Sequence, residues 1–521
     1  MVPESTKYGS AYVPQPQFME KHFVGLELVA PYNCEFLGTF FLTFTVCLCA
    51  MFGSAAWNAT AIASALMAAV YAFGPISGGH LNPAVSLSFL FSRKANKWKV
   101  LQYILSQFLG GIFAGLMVAV TYYNVDAPPV GPGASFNWFE AIVIEVIYTA
   151  MLCFVVLNCA TSERNNPESD RNQFYALAIG FVIIAGGYAG GAISGGMFNP
   201  AVTLGLQLVR SNAFVGFFNV FWYMVAHALG ACLGAAAFAL CRVEDYEAPG
   251  NSEAKTLFMA EYQPPLVIRI ITEFIGTLMV VITFGLNVMQ GNPATAWSTA
   301  ACVMSLMYSV SNISGGHFNP AVTLGVFLSG RRKCHAKDAT LYIIVQFIAG
   351  ILAAGVLAIL LHSANLPALG LAPGKGFNWA QALMTEAIFT MILVYVVLAV
   401  ATMETVHEFT YSRHNFFFGL AVGACYTVGG VAVGAITGGS LNPASSLGVA
   451  LCKFMSSEVE GLYDESATTT TPTPGMWIPG VPLPENCGFY ILYELCGAAV
   501  AALVFHCTHA REYRHYMEIT M

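Results

Sequence analysis

Long apolar segments separated by short polar ones run along the whole chain. Twelve of them are long enough to cross a bilayer as helices, because about 20 apolar residues span roughly 30 Å of hydrocarbon. They cover approximately residues 33–53, 56–76, 99–123, 138–160, 173–191, 215–241, 265–287, 295–312, 339–361, 379–402, 414–432 and 487–508. The hydrophobic pattern therefore predicts an all-α polytopic membrane protein.

The composition agrees with this prediction. Of the 521 residues, 57% are hydrophobic and only 9% are charged, whereas soluble domains carry about 25% charged residues. The net charge of −7 comes without a basic patch, so we expect membrane lipid around the chain and no nucleic-acid partner. The 14 cysteines lie mostly within apolar segments and form no Cys-x-x-Cys pair, so we expect neither a metal site nor a cofactor.

The tripeptide Asn-Pro-Ala occurs four times, each time shortly after a Gly-Gly pair. The copies are Asn82, Pro83 and Ala84; Asn199, Pro200 and Ala201; Asn319, Pro320 and Ala321; and Asn442, Pro443 and Ala444. The first two asparagines lie 117 residues apart, the last two 123, and the first and third 237. This repeat within a repeat indicates two similar units per chain, each built from two similar halves.

The repeats and the polar segments together predict the domain organisation. We expect units at 31–241 and 265–510, a polar linker at 242–264, tails at 1–30 and 511–521, and a long external loop at 454–486. The linker is long enough as a flexible chain to join neighbouring units side by side.

The distribution of basic residues predicts the orientation of the chain. Of the 21 lysines and arginines, only Arg210, Lys375 and Lys453 map to one side of the predicted spans. The rule that basic residues accumulate on the cytoplasmic side then places both termini and the linker in the cytoplasm. Six crossings per unit give both units the same orientation.

Each Asn-Pro-Ala copy begins a run of about ten apolar residues, and ten helical residues rise only about 15 Å, half of a membrane. Proline suits the first turn of a helix, and the glycine pair allows a tight turn before it. We therefore predict four re-entrant loops, each followed by a half-helix. Half-helix N-termini that meet near the midplane repel cations, and their asparagine amides offer donors to a passing oxygen. This arrangement favours passage of water or a small neutral solute.

These residues closely resemble those of the aquaporin (major intrinsic protein) family, and the resemblance covers most of the chain twice. It implies two bundles, each with six transmembrane helices and two re-entrant half-helices, that form passive channels with two pores per chain. Because family members form tetramers, it also implies a homodimer with four pores. No nucleophile–base set or metal cluster stands out, so we do not expect an enzyme.

The resemblance extends to polar residues within the spans. Four glutamates in the first and fourth spans are expected to brace the re-entrant loops rather than to carry protons. They are Glu35, Glu145, Glu273 and Glu386, with Gln107 and Gln346 in the third spans. His80 and His317 precede an asparagine by two residues, a position that lines the cytoplasmic half of the pore in the family. His227 and Glu494 occupy equivalent places in the sixth spans and are expected to hydrogen-bond to loop backbone.

The chain departs from the family at the outer constriction. Family members commonly carry an arginine directly after the second Asn-Pro-Ala, whereas Val202 and Ser445 stand there in this chain. The other constriction positions, transferred by their spacing from the motifs, are Ile62, Gly187 and Gly196 in the first unit and Thr299, Gly430 and Gly439 in the second. Small side chains without a fixed charge predict a wide constriction that suits glycerol, urea, ammonia or hydrogen peroxide as well as water. Alternatively, bulky residues of loops 124–137 or 362–378 fill the mouth.

The sequence also leaves two other functions open. Inverted repeats and broken helices suit a coupled secondary transporter, for which Glu494 is the asymmetric buried candidate for ion coupling. A structural membrane protein with closed pores is the third hypothesis, and the long external loop 454–486 would serve it.

Overall fold

A computed structural model describes residues 17–167, 171–210, 212, 216–248, 252–361, 371–403, 417–463, 483–510 and 513. Within these ranges the chain forms eighteen helices and no strand. The predicted all-α fold is therefore confirmed.

Each unit contains six long helices and two that follow an Asn-Pro-Ala motif. The first unit contains α1 (Gln17–Phe52), α2 (Asn58–Ser77), α3 (Pro83–Phe91), α4 (Lys97–Thr121), α5 (Trp138–Thr161), α6 (Tyr175–Ser194), α7 (Pro200–Leu208) and α8 (Phe217–Cys241). Two short helices follow, α9 (Glu244–Glu247) and α10 (Ser252–Glu261). The second unit contains α11 (Leu266–Met289), α12 (Thr295–Ser314), α13 (Pro320–Leu328), α14 (Ala336–Leu361), α15 (Trp379–Ala401), α16 (Phe418–Thr437), α17 (Pro443–Tyr463) and α18 (Leu483–Thr508).

Eleven helices in the described part of the chain are long and apolar enough to cross a membrane, which confirms an integral multi-pass membrane protein. Of the twelve predicted spans, the one outside this set is 295–312, which α12 covers and which is rich in serine and threonine. Its Ser298, Ser305 and Ser309 are fully buried. Because α12 packs against α6 and α16, protein rather than lipid surrounds these hydroxyls.

Three segments differ from their sequence prediction. α1 begins at Gln17, within the expected tail, although its apolar part begins only at Leu26. The linker contains α9 and α10 where a flexible chain was expected. α17 has 21 residues instead of about ten. The next predicted span begins only at 487, so the chain has room to continue as helix beyond residue 452. Residues 464–482 of the expected loop lie outside the described ranges.

Glycines let the half-helices pack closely on the long helices. A Cβ atom added at Gly111 of α4 would lie 2.5 Å from the carbonyl oxygen of Ala201, at the start of α7. In the second unit, a Cβ atom at Gly350 of α14 would lie 2.6 Å from the carbonyl oxygen of Ala444. Such distances exclude any side chain without movement of the backbone, so these two glycines set the depth of α7 and α17 in their bundles.

The two units pack side by side through α5 and α6 of the first and α11 and α12 of the second. Ser298 Oγ donates to the carbonyl of Ala185 at 2.9 Å, and Asn292 Nδ2 donates to that of Tyr188 at 2.8 Å. The most apolar stretches of α5 and α6 are each 72% buried, compared with 39% and 33% for their counterparts α15 and α16. The unit–unit contact therefore covers one copy of this helix pair and leaves the other uncovered.

Candidate permeation site

All four re-entrant loops share an unusual backbone conformation. The residue directly before each asparagine is a large apolar residue with positive φ: Leu81 at 50°, Phe198 at 48°, Phe318 at 50° and Leu441 at 52°. Side chains with a Cβ atom rarely adopt this left-handed conformation, so the surrounding contacts must hold the loops in it. The preceding glycine pairs also have positive φ, as at Gly78 (97°) and Gly79 (61°), where glycine fits without strain.

In the first unit, the two asparagines join the two half-helices across the bundle. Asn82 Nδ2 donates to the carbonyl of Phe198 at 2.9 Å, and Asn199 Nδ2 donates to that of Leu81 at 3.0 Å. Each asparagine Oδ1 caps its own half-helix by accepting from the backbone N–H of the alanine two residues on. The loops therefore meet tip to tip, with amide nitrogens and carbonyl oxygens at the junction.

The second unit repeats this junction. Asn319 Nδ2 donates to the carbonyl of Leu441 at 2.8 Å, and Asn442 Nδ2 donates to that of Phe318 at 3.0 Å. The contacts thus join the first asparagine to the loop of the second, and the third to the loop of the fourth. This is the pairing within each unit that the nested repeat predicts.

Three glutamates accept the same set of hydrogen bonds from their loops. Glu35 accepts from the backbone N–H groups of His80 and Leu81, from Ser77 Oγ and from Gln107 Nε2. Glu273 does the same with His317, Phe318, Ser314 and Gln346, and Glu145 with Met197, Phe198, Ser194 and His227. These contacts satisfy loop N–H groups that otherwise have no partner at membrane depth, and they support the bracing role.

The fourth loop has a second carboxyl group in the place of the amide or imidazole donor of the other three. Glu386 Oε1 accepts from the N–H of Leu441 at 2.6 Å. Glu494 occupies the position from which Gln107, His227 and Gln346 contact the bracing glutamate in the other three half-units. Glu494 Oε1 instead accepts from the N–H of Asn442 and from Ser446 Oγ, both at 2.9 Å. The two carboxyl groups lie side by side and interact with each other, and among the described residues neither Oε2 receives a hydrogen bond from an amide or imidazole side chain.

His227 and Glu494 therefore differ in their contacts. Glu494 binds loop backbone, as expected, whereas His227 Nε2 lies 2.8 Å from Glu145 Oε2 and binds the bracing carboxylate. The sequence analysis did not predict the contact between His227 and Glu145. The equivalence of His227 with Gln107 and Gln346 was a usable signal for it.

The two histidines that precede the motifs take similar positions. His80 Nδ1 lies 3.0 Å from Ser86 Oγ, and His317 Nδ1 lies 3.1 Å from Thr323 Oγ1. His80 borders the cavity of the first unit. The hydroxyl partners come from the half-helices and hold each ring beside its loop.

A cavity of about 530 Å³ occupies the first unit, and it reaches Asn82 and Asn199. All four expected constriction positions of this unit border it, namely Ile62, Gly187, Gly196 and Val202. Its outer rim includes residues 290–293 of the second unit rather than the suggested loop 124–137. A Cβ atom at Gly187 would lie 2.8 Å from that of Ala59, so Ala59 fills part of the space that the glycine leaves.

The cavity of the second unit has a different inner end. It encloses about 690 Å³ and is bordered by Thr299, Gly430 and Gly439, with Leu371 and Phe377 of the suggested loop at its mouth. Among the described residues, its lining includes neither Ser445 nor either asparagine. It includes Tyr426, whose hydroxyl lies 3.0 Å from Asn319 Nδ2. Tyr426 did not emerge from the sequence, although its place four residues before Gly430 corresponds to Ile183 in the first unit.

Paired half-helices that meet inside six-helix bundles define an integral membrane protein built around two polar junctions. Residues 26–238, 168–286 and 263–505 match the family model described as Major intrinsic protein. The chain therefore belongs to the major intrinsic protein family, and each of its two units matches the family model.

Individual relatives match about one unit each. Aquaporin NIP2-1 of Oryza sativa subsp. japonica is 34% identical over 43% of this chain and 74% of its own. Glycerol uptake facilitator protein-like 6 of Lactiplantibacillus plantarum is 29% identical over 39% of this chain and 94% of its own. A solved aquaglyceroporin structure from Plasmodium falciparum shares 20% identity and a TM-score of 0.37, covering 47% of this chain and 97% of its own. Family membership makes this chain a channel for water or small solutes and not an enzyme.

Proposed function

We propose that the chain conducts water and small neutral solutes such as glycerol passively, through the pore of the first unit. The observation that carries this proposal is the cavity that reaches from the outer rim to both Asn82 and Asn199. Along it, the amide groups and the loop carbonyls supply hydrogen bonds, while the half-helix N-termini disfavour cations. The expectation of two equal pores rests on the four motifs alone, because the second cavity does not border its asparagines.

The constriction chemistry supports a solute larger than water. Val202 replaces a cationic side chain with an apolar one, and Gly196 leaves only backbone on its side of the cavity. Ala59 narrows the side at Gly187, so the widening is smaller than the sequence predicted. An apolar wall with few polar groups suits glycerol, urea, ammonia or hydrogen peroxide. The relative named a glycerol uptake facilitator is consistent with this range.

Restoring the arginine tests the proposal. Two unit charges about 4 Å apart interact with about 4 kcal/mol when the effective dielectric constant is about 20. The double change Val202→Arg and Ser445→Arg should therefore reduce glycerol flux more than water flux, and any cation leak most of all. Val202→Leu is the matched control, because it adds bulk without charge.

The test uses proteoliposomes with equal amounts of folded protein in water and glycerol gradients. Wild-type protein that passes water but excludes glycerol, together with an unchanged double variant, would mean that other residues form the filter. An imposed pH gradient that drives solute uptake would instead favour the coupled transporter. Absence of flux in every gradient would favour the structural protein with closed pores.

The bracing geometry argues against ion coupling through Glu494. Its Oε1 accepts two hydrogen bonds from the loop and the start of α17, and its side chain is fully buried. A coupling group must exchange ions with water on each side in turn. Glu494 is instead held where the equivalent residues hold the loops.

We also propose that two chains form a homodimer with four-fold pseudosymmetry and that both termini face the cytoplasm. Within one chain, α6 of the first unit packs on α12 of the second. Repetition of the same contact would place α16 on α2 of a second chain. The most apolar stretches of these two helices are only 33% and 28% buried within one chain, which leaves both available for such a contact. The orientation rests on the distribution of basic residues.

A further inference from the structure

A tyrosine reaches the junction of the half-helices in the second unit and has no counterpart in the first. In the second unit, the Tyr426 hydroxyl of α16 lies 3.0 Å from Asn319 Nδ2 and within interaction range of the Asn442 side chain. These amides are the donors that an open pore offers to a passing solute oxygen. The tyrosine oxygen therefore stands at the place that a permeating oxygen would occupy.

The exposure of the asparagines agrees with this contact. Asn82 and Asn199 are each 4% exposed and border the first cavity, whereas Asn319 and Asn442 are both 0% exposed. The second cavity has the larger volume, yet it stops at Tyr426. The tyrosine is itself only 5% exposed, so its ring is packed against surrounding side chains where it borders the second cavity.

The first unit provides the comparison within the same chain. Ile183 precedes Gly187 by four residues, as Tyr426 precedes Gly430, and it borders the first cavity. Isoleucine is shorter than tyrosine and has no polar atom that could bind an asparagine amide. The same helix position therefore leaves the first junction accessible and fills the second.

We propose that Tyr426 closes the second pore, so that each chain has one conducting pore and one external vestibule that ends at the membrane midplane. The ring fills the passage, and the hydroxyl occupies the amide donors that would replace the hydration of an entering solute. A homodimer would then carry two conducting pores rather than four. This inference rests on the proposed channel function.

A reciprocal exchange of the two side chains tests the closure. Ile183→Tyr places the closing side chain in the first unit, Tyr426→Ile removes it from the second, and the double exchange does both. Osmotic water flux is measured by stopped-flow light scattering in proteoliposomes of equal protein content. We expect Ile183→Tyr to approach the flux of empty liposomes, Tyr426→Ile to rise about twofold, and the double exchange to return to the wild-type level, because flux scales with the number of open pores.

The outcomes separate this inference from the channel function. A wild type without flux contradicts the channel itself. A conducting wild type that loses only about half of its flux in Ile183→Tyr overturns the closure, since both pores then conduct in parallel. Unchanged flux in folded Tyr426→Ile also overturns it. That variant predicts a gain, so the test does not depend on the folding of Ile183→Tyr.

A second measurement leaves both side chains in place. Ile62→Cys and Thr299→Cys lie at equivalent positions and border the cavities of the first and second units. A membrane-impermeant thiol reagent is added outside, and each variant is compared with itself before the addition and with treated wild type. We expect the reagent to remove most flux from Ile62→Cys and almost none from Thr299→Cys. Equal inhibition of both variants would overturn the closure.

Discussion

Replacing Glu494 with glutamine should stabilise the second unit, because it exchanges one of two adjacent buried carboxyl groups for an amide donor. In two other loops a glutamine Nε2 donates to the bracing carboxylate, from Gln107 to Glu35 Oε2 at 2.7 Å and from Gln346 to Glu273 Oε2 at 2.9 Å. The new amide can give Glu386 Oε2 the same bond, while its Oε1 keeps the bonds from Asn442 and Ser446.

The size of the effect follows from the buried carboxyl pair. Glu386 and Glu494 interact with each other, and among the described residues neither Oε2 receives a hydrogen bond from an amide or imidazole side chain. A hydrogen bond to a charged group contributes about 1.5–3 kcal/mol. We therefore expect Glu494→Gln to raise the free energy of unfolding by about 2 kcal/mol. The gain has two sources, since the substitution also removes one of two adjacent carboxyl groups.

Reversible unfolding in mixed detergent micelles measures this difference. Gln346→Glu is the matched reverse change, because it creates a second carboxyl beside Glu273 in the same unit, and it should lower the free energy of unfolding by a similar amount. Glu494→Ala should also be destabilising, since it leaves the N–H of Asn442 without its acceptor. If Glu494→Gln is neutral or destabilising while Gln346→Glu is tolerated, the paired carboxyls are not a structural defect and the reasoning fails.

Three other predictions concern packing and assembly. Gly350→Ala should destabilise the fold by about 1–3 kcal/mol in the same assay, because its methyl group would press on the Ala444 carbonyl. Gly355→Ala in the same helix is the control and should be tolerated, since its added methyl group would lie 3.9 Å from its nearest neighbour. Arg242→Leu should cost about 2–4 kcal/mol, since this fully buried arginine binds Asn158, Ser309 and Asn312 between the units, and the exposed Arg171→Leu is the control. Ala61 and Val428 occupy the repeat positions of the contacting pair Ser298 and Ala185, so cysteines at both should cross-link two chains into a covalent dimer. If the cysteines form no cross-link between chains, the proposed dimer is wrong.

The twelve long helices, the starts of the four half-helices and the family could all be predicted from the sequence, because each depends on local hydrophobic periodicity or on a motif repeated four times. The partners of the bracing glutamates were also accessible, since a buried carboxylate beside a re-entrant loop has few other donors. The long α17 and the helical linker were not, because helix ends depend on competing local signals that a repeat does not specify.

The properties of the two pores were decided by the tertiary structure. Tyr426 and Asn319 are 107 residues apart in sequence, and their contact depends on the rotation of α16 about its axis as it packs in the bundle. The space beside Gly187 depends on how closely Ala59 of α2 approaches it, and the rim of the first cavity includes residues 290–293 of the other unit. Motif spacing determines which residues approach the midplane. Only the packing of helices distant in sequence determines whether a side chain lines a passage or fills it.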